Sequence, residues 1–116
     1  MNTYKALTVW QKAVEVTVEV YAVTNAFPSE ERFGLVSQMR RCAVSIPSNV
    51  AEGKMRGSSK ECKRFYLIAY GSGAELETQI EVAKRVFGDK GQYEKLEGLL
   101  NEVMKILNRL ISNLAS

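Results

Sequence analysis

Apolar residues recur at spacings of three and four along four stretches of the chain, which is the pattern of helices that bury one face. The pattern is most regular near the carboxyl terminus. Seven apolar residues follow one another there without a break: Tyr93, Leu96, Leu100, Val103, Leu107, Leu110 and Leu114. A mean period near 3.5 residues is typical of helices packed knobs-into-holes. The stretch therefore predicts a helix over about 91–114.

The first apolar stretch carries two competing patterns. The sequence VEVTVEVYAV (14–23) alternates as a half-buried strand does. A helical repeat fits a longer span, because no turn signal interrupts the chain and an ordinary strand is much shorter. We therefore predict a helix over about 9–25, begun by a capping box of Thr8 and Gln11. Its inner row is Val9, Ala13, Val16, Val20, Val23 and Phe27.

Two further helices occupy the middle of the chain, over about 29–56 and 59–87. Ser29, followed by two glutamates, predicts the N-cap of the second helix. Ser58 and Glu61 form another capping box, and Gly88 predicts the C-cap of the third helix. The inner row of the second helix is Leu35, Met39, Cys42, Ile46, Val50 and Gly53. The inner row of the third is Cys62, Phe65, Ala69, Ser72, Leu76, Gln79, Ala83 and Val86.

Four helices with short connections predict one all-α domain over residues 1–116, an antiparallel up-down-up-down four-helix bundle. A chain of 116 residues is long enough to bury a single core but not two. The apolar fraction of 46% and the charged fraction of 25% are those of an ordinary globular protein. No linker, repeat or low-complexity segment divides the sequence.

The segment SIPSNVAEG (45–53) has the residue types of an active-site loop, but the helical spacing around it favours a helix interior. Pro47 lacks an amide hydrogen, and its ring crowds the carbonyl group of Ala43. We expect Ser45 and Asn49 to satisfy the loosened backbone groups. A polar stripe lies beside the apolar row: Gln38, Arg41, Ser45, Asn49, Glu52 and Arg56. Its position predicts a polar seam between two helices.

Hairpin geometry predicts what this seam meets. With Gly57 as the turn, residues equally far before and after it lie at one level, since both helices rise about 1.5 Å per residue. Arg41 then lies near the level of Glu75, which predicts an ion pair; the alternative is that both side chains reach solvent. Small residues face each other in CAVS (42–45) and AYGSGA (69–74), so the backbones can approach closely. The predicted seam comprises Arg41, Ser45, Asn49, Glu52 and Glu75.

Basic residues are concentrated in one part of the chain. The net charge is only +3, but residues 40–64 alone hold seven basic and two acidic residues. Such a segment attracts nucleic acid or another anionic surface; the alternative is a solvated helix face. Arg40 and Arg41 belong to this segment, although Arg41 is assigned to the seam. The better candidates for nucleic-acid binding surround the turn between helices two and three: Lys54, Arg56, Lys60, Lys63 and Arg64.

The residue types argue against catalysis. The chain has no histidine, which removes the commonest general base and metal ligand, and no serine lies in a GxSxG motif. Cys42 and Cys62 are too few for a disulfide framework and lack a CxxC spacing. We therefore expect no enzyme activity, no metal and no cofactor. Reduced thiols, with neither a signal peptide nor a membrane span, predict a cytoplasmic protein.

Helix one is more apolar than a surface helix of a bundle needs to be. A surface helix requires one apolar stripe, whereas this helix carries a second row of Trp10, Val14, Thr17, Tyr21 and Thr24. The excess predicts a homo-oligomer, although a deeply buried helix would look similar. The residues predicted at the interface are Val9, Trp10, Val16, Val18 and Val20.

Three stretches resemble a known family. They are LTVWQKA (7–13), FPSEERFGLVSQMRRCAVSIPSNVAEG (27–53) and FYLIAYGSGAELETQI (65–80). They are similar to the bacterial four-helix-bundle proteins encoded within intervening sequences of 23S ribosomal RNA genes, over nearly the whole chain. The resemblance implies a helical bundle that assembles as a homo-oligomer, typically a ring of five. It also implies a family with no established catalytic activity.

Two functions are open at this point. The leading hypothesis is a non-enzymatic oligomeric bundle that binds ribosomal or other RNA, or DNA, through the basic segment. No aromatic platform is evident among these charges in the sequence. The alternative is a scaffold that binds another polypeptide and uses the basic segment only for solubility.

Overall fold

The computed structural model describes residues 3–114, which form four α-helices. They are α1 (Thr8–Thr24), α2 (Leu35–Met55), α3 (Ser59–Phe87) and α4 (Glu94–Asn113). Short 3-10 helices, Tyr4–Ala6 and Ser29–Glu31, precede α1 and α2. Each α-helix packs against its two neighbours in the ring order α1–α2–α3–α4, so the predicted all-α four-helix bundle is confirmed. The ends of the predicted domain, residues 1–2 and 115–116, lie outside the described residues.

The predicted inner rows form most of the core. The α1 row is buried except for the partly buried Phe27, and the α4 row is buried from Tyr93 to Leu107. The α3 row is less accurate, because Val86 is exposed. Three residues outside the predicted row are buried in α3: Tyr66, Gly73 and Ile80. Since α3 packs against both α2 and α4, its buried face is wider than a single stripe.

Helix α2 begins at Leu35, so the predicted start at residue 29 is wrong. Ser29 opens a 3-10 helix instead of capping α2. The break comes at Gly34, whose backbone (φ −107°, ψ −113°) is not helical, and the Leu35 amide then donates to the Glu31 carboxylate at 3.4 Å. Residues 32–34 form a turn that leaves the Phe33 ring in solvent.

The predicted helix ends are confirmed around α3, and the carboxyl-terminal ends predicted for α1, α2 and α4 lie within one residue of the observed ends. Ser58 accepts a hydrogen bond from the Glu61 amide at 3.2 Å, and Gly88 ends α3 at φ +91°. The capping box at α1 does not form, because Thr8 lies inside the helix and Gln11 donates to the Lys5 carbonyl instead. Helix α4 begins at Glu94 and not at residue 91, where a glycine at φ +88° departs from helical geometry.

Pro47 is buried inside a continuous α2, and its missing hydrogen bond is replaced from another helix. The Ala43 carbonyl accepts from the hydroxyl of Thr17 in α1 at 3.2 Å. The predicted partners bond elsewhere: Ser45 Oγ lies 2.7 Å from the Cys42 carbonyl oxygen, and Asn49 Nδ2 donates to the Ser45 carbonyl. The hydrogen bond to the Ala43 carbonyl therefore depends on the packing of α1 against α2.

The close approach of α2 and α3 occurs near their connection, at Gly53. A Cβ atom added there would lie 3.0 Å from Phe65 Cβ and 3.1 Å from the Cys62 carbonyl oxygen. Gly71, in the predicted contact between small residues, has open space around it. That part of the prediction is wrong, because Gly71 points out of the bundle.

Candidate nucleic-acid interface

The α2–α3 connection gathers basic side chains at one end of the bundle. Gly57 adopts φ +83°, which a glycine accommodates without strain, and Ser58 caps α3 directly after it. The chain thus reverses within three residues, Arg56 to Ser58. Five cations surround this reversal: Lys54, Arg56, Lys60, Lys63 and Arg64. We call these five residues the basic turn.

Two arginines of the basic turn contact one aromatic ring. The guanidinium carbons of Arg56 and Arg64 lie 4.9 Å and 4.5 Å from the centroid of the Phe65 ring. Helical spacing predicted Phe65 in the core row, and no aromatic platform was evident among the charges in the sequence. Phe65 is in fact only partly buried, because it lies near the start of α3, at the end of the bundle. In the sequence, the position of Phe65 directly after Arg64 was the signal that could have placed an aromatic ring among the cations.

The same arginines are held by carboxylates of their own helices. Arg56 Nε lies 3.1 Å from Glu52 Oε2, and Arg64 donates from Nε and Nη2 to both oxygens of Glu61 at 3.1 and 3.2 Å. The hydrogen bond from Arg64 holds the pKa of Glu61 below its usual value and raises that of Arg64. These contacts fix the planes of the guanidinium groups, and the carboxylates also compete with an incoming anion.

Lys54 and Lys60 differ from the arginines in their surroundings. Both are exposed, and within the described part of the chain neither makes an ion pair. Lys63 is partly buried. The two exposed lysines are therefore the cations most accessible to an anionic partner.

The two remaining arginines of the basic segment lie far from the basic turn. Arg40 donates from Nε to Thr24 Oγ1 at 3.0 Å and stacks on Tyr21, with its guanidinium carbon 4.4 Å from the ring centroid. This arginine ties α2 to the last turn of α1, where cations are favoured by exposed helix carbonyls. Arg41, the next residue, points instead toward the α2–α3 groove. The basic segment thus comprises one arginine that ties α2 to α1, one arginine that lines the α2–α3 groove, and the basic turn.

The predicted polar seam forms in part. Cys42 Sγ donates to the Ser72 carbonyl at 3.0 Å, and the Ser45 and Ser72 hydroxyl oxygens lie 2.7 Å apart. These contacts confirm the predicted level of α2 against α3, since Cys42 and Ser72 are equally far from Gly57. Asn49 belongs to the seam through its bond to the Ser45 carbonyl. Glu52 was also predicted in the seam, but it is exposed and pairs with Arg56 of the basic turn.

Arg41 and Glu75 do not form the predicted ion pair. Among residues 3–114, no nitrogen of Arg41 lies within 4.0 Å of a Glu75 oxygen. Both residues are exposed, and both line one hollow in the α2–α3 groove. The prediction was right about their level and wrong about their contact; an exposed ion pair gains little free energy in water, so being level does not enforce contact. Burial, then the Glu75 carboxylate, raises the pKa of Cys42 to about 12.

Three of the predicted interface residues are unavailable to another subunit. Val9, Val16 and Val20 are at most 1% exposed within the chain itself, so the interface prediction is wrong for them. They belong to the α1 row that faces the core. Trp10 is partly buried and Val18 is 64% exposed. Only the outer part of the predicted surface therefore remains accessible.

The rest of the described chain adds two general findings. Residues 3–114 contain no group of three or more histidine, cysteine, aspartate or glutamate residues placed to hold a metal ion. None of the helices within this range has the length and apolar character needed to cross a membrane.

Comparison with known proteins identifies the family. No curated protein matches the chain. The family model described as "23S rRNA-intervening sequence protein" matches residues 5–109, which include the basic turn, the α2–α3 groove and all of the core rows except Leu110 and Leu114. Because the match covers most of the 116 residues, the chain belongs to the 23S rRNA-intervening sequence protein family.

Proposed function

We propose that this protein is a non-enzymatic four-helix bundle that binds RNA or DNA through the basic turn. The observation that carries the proposal is the placement of five cations and the Phe65 ring at one end of the bundle. Cations supply the attraction to phosphates that dominates nucleic-acid affinity. The Phe65 ring contacts two of these guanidinium groups, and cation–π attraction holds them at this end of the bundle.

Individual residues of the basic turn have different expected contributions. The exposed Lys54 and Lys60 supply freely available charge. Arg56 and Arg64 present planar donors that suit a phosphate, but each must first share its donors with a carboxylate. The name of the family refers to 23S ribosomal RNA, which supports structured ribosomal RNA as the first partner to test. The predicted cytoplasmic location stays a prediction.

A titration at several salt concentrations tests this proposal. Fluorescence anisotropy is measured with structured RNA, single-stranded RNA and duplex DNA. The test variant replaces Lys54, Arg56, Lys60 and Lys63 with glutamine. The control replaces Lys5, Lys90, Lys105 and Arg109, which are exposed residues elsewhere, and removes the same charge from the same residue types. Each lost phosphate contact should lower the logarithmic salt slope by about 1.

The expected result is lost binding in the test variant and retained binding in the control. Circular dichroism and light scattering of both variants should match the unchanged protein. An equal loss in the two variants would mean that total charge, and not the basic turn, attracts the nucleic acid. No binding by the unchanged protein would favour the alternative function, a scaffold for another polypeptide.

Assembly into a homo-oligomer is part of the same proposal. Its support is the exposed apolar surface along α1 and α2, where Val18, Tyr21 and Val44 are 64%, 47% and 41% exposed. A ring, which the family resemblance implies, would place copies of the basic turn on one side and increase affinity through avidity. Light scattering of Val18→Glu should give a smaller mass than that of Val86→Glu, since Val86 is equally exposed on α3. The reverse order would move the interface to α3, and a monomeric unchanged protein would refute assembly.

A further inference from the structure

A second polar site lies in the α2–α3 groove, at the opposite end from the basic turn. A hollow of about 470 Å³ is lined there by Phe33, Gln38, Arg41, Ser45 and Glu75, among others. Its volume falls within the range of about 300–1,000 Å³ that is usual for small-molecule pockets. None of these five residues belongs to the basic turn.

Two of the lining side chains have no contact within the fold that would explain their position. The Phe33 ring is 89% exposed at the rim. Arg41 makes no ion pair in the described part of the chain, although the Glu75 carboxylate shares the hollow with it. An exposed ring, an unpaired cation and a carboxylate thus face one space from the α2 side and the α3 side.

We propose that this hollow binds a guanine nucleotide, either free or as an unpaired residue of a single strand. Phe33 stacks on the base, as aromatic side chains do with unstacked nucleotides. Arg41 binds the phosphate through its paired N–H donors. Glu75 accepts two hydrogen bonds from the base edge.

The carboxylate selects among the four bases. An ionised carboxylate only accepts hydrogen bonds, and guanine presents two adjacent donors, N1–H and the N2 amino group. Adenine, cytosine and uracil place an acceptor next to each donor on the same edge, so one carboxylate oxygen would face an acceptor. Glu75 therefore favours guanine, whereas Arg41 contacts the phosphate that all four nucleotides share and Phe33 stacks on any base, more strongly on a purine.

The hollow and the basic turn both lie along the α2–α3 pair of helices. Arg41 lies in α2 and Arg56 directly follows this helix, so the fifteen residues between them correspond to about 22 Å at a rise of 1.5 Å per residue. This distance corresponds to roughly six or seven nucleotides at a stacked spacing of about 3.4 Å. A strand bound at both ends rests on the proposed function, but a free nucleotide in the hollow does not.

Calorimetric titration of the full chain with GMP, AMP, CMP, UMP and inorganic phosphate tests the site. GMP should bind roughly tenfold or more tightly than the other nucleotides, which is the discrimination given by a two-point hydrogen-bonded pair. Phe33→Ala should weaken GMP binding about tenfold and Phe33→Trp should retain it, since both ring systems stack. Arg41→Gln should weaken binding of every nucleotide, with Arg109→Gln as the control. Glu75→Gln should remove the preference for GMP over AMP, since the two purines stack alike.

Each other outcome overturns part or all of the proposal. Phosphate that binds as tightly as GMP would show an anion site without base recognition. A preference for GMP over AMP that survives Glu75→Gln, or GMP binding unaffected by Phe33→Ala, would place the nucleotide elsewhere. No binding of any nucleotide would refute the site.

Two controls separate this inference from the proposed function. The variant lacking Lys54, Arg56, Lys60 and Lys63 should keep its GMP affinity while losing nucleic acid. A ten-nucleotide RNA with one guanosine should bind more tightly than the same RNA with adenosine at that position. Equal affinities for the two RNAs, with GMP binding intact, would limit the site to free nucleotides.

Discussion

The hydroxyl group of Thr17 in α1 lies 3.2 Å from the carbonyl oxygen of Ala43 in α2. This is the carbonyl that Pro47 deprives of its usual amide donor. The single hydroxyl hydrogen is shared with the carbonyl of Ala13, at 2.9 Å. A side chain of one helix therefore compensates for a proline in another, which allows α2 to continue through Pro47 without a break.

Replacing Thr17 with valine should destabilise the protein by about 1–3 kcal/mol, because the Ala43 carbonyl loses its partner. Thr78→Val is the matched control, since Thr78 bonds the Ala74 carbonyl on an exposed face and should change stability by about 0.5 kcal/mol or less. Urea unfolding of both variants measures the difference.

Pro47→Ala provides an independent check, because an alanine at this position restores the amide donor to Ala43. The cost of Thr17→Val should shrink in the Pro47→Ala background. An unchanged cost in the double-mutant cycle would mean that Thr17 stabilises the protein through packing alone.

Alanine substitutions at two glycines should have opposite effects. Gly53→Ala should cost about 1–3 kcal/mol, because its Cβ meets backbone and Cβ atoms of α3 that cannot rotate away. Gly71→Ala should stabilise the protein by about 0.5–1 kcal/mol, since the site is open and alanine favours a helix. Thermal unfolding measured by circular dichroism distinguishes them, and a stabilising Gly53→Ala would contradict the observed helix contact.

Neighbouring arginines should differ in their effect on stability. Arg40→Ala should cost about 1 kcal/mol through its lost bond to the buried Thr24. Arg41→Ala should change stability by about 0.5 kcal/mol or less, since Arg41 is exposed. Equal costs in chemical unfolding would disprove the division of roles between them.

Cys42 should resist alkylation in the folded protein. Burial and the Glu75 carboxylate raise its pKa to about 12 from an ordinary value of 9.0, so the reactive thiolate is scarce at pH 8.5. Peptide mass spectrometry after brief iodoacetamide treatment should find Cys62, which is partly exposed, modified before Cys42. Faster modification of Cys42 would contradict the protected position described above.

The raised pKa of Cys42 also has a consequence for stability. The folded state holds the thiol proton more tightly than the unfolded state, so this stabilisation is complete below pH 9 and decreases as the pH rises toward 12. Cys42→Ser does not titrate in this range. The stability difference between the unchanged protein and this variant should therefore decline over that interval, and a constant difference would exclude the linkage.

The helices and most of their buried rows could be predicted from the sequence alone. The 3–4 spacing of the α1 and α4 rows specifies which face is buried, whatever the neighbour is. Ser58, Gly57 and Gly88 mark helix ends through local backbone and capping chemistry. The cluster of cations at the α2–α3 connection was predictable for the same reason, since a short turn keeps sequence neighbours together.

Contacts between helices depended on the tertiary structure. Arg40 and Arg41 are the same type of residue, but the side chains of successive residues in a helix point about 100° apart. One arginine consequently meets Thr24 of α1 and the other enters the hollow beside Glu75 of α3. The hydrogen-bond donor to the Ala43 carbonyl could not be predicted from the sequence, because Thr17 lies 26 residues away along the chain. Only the packing of α1 against α2 brings the two groups together. Helix period determines which residues turn inward, whereas the rotation and level of the packed helices determine which atoms they meet.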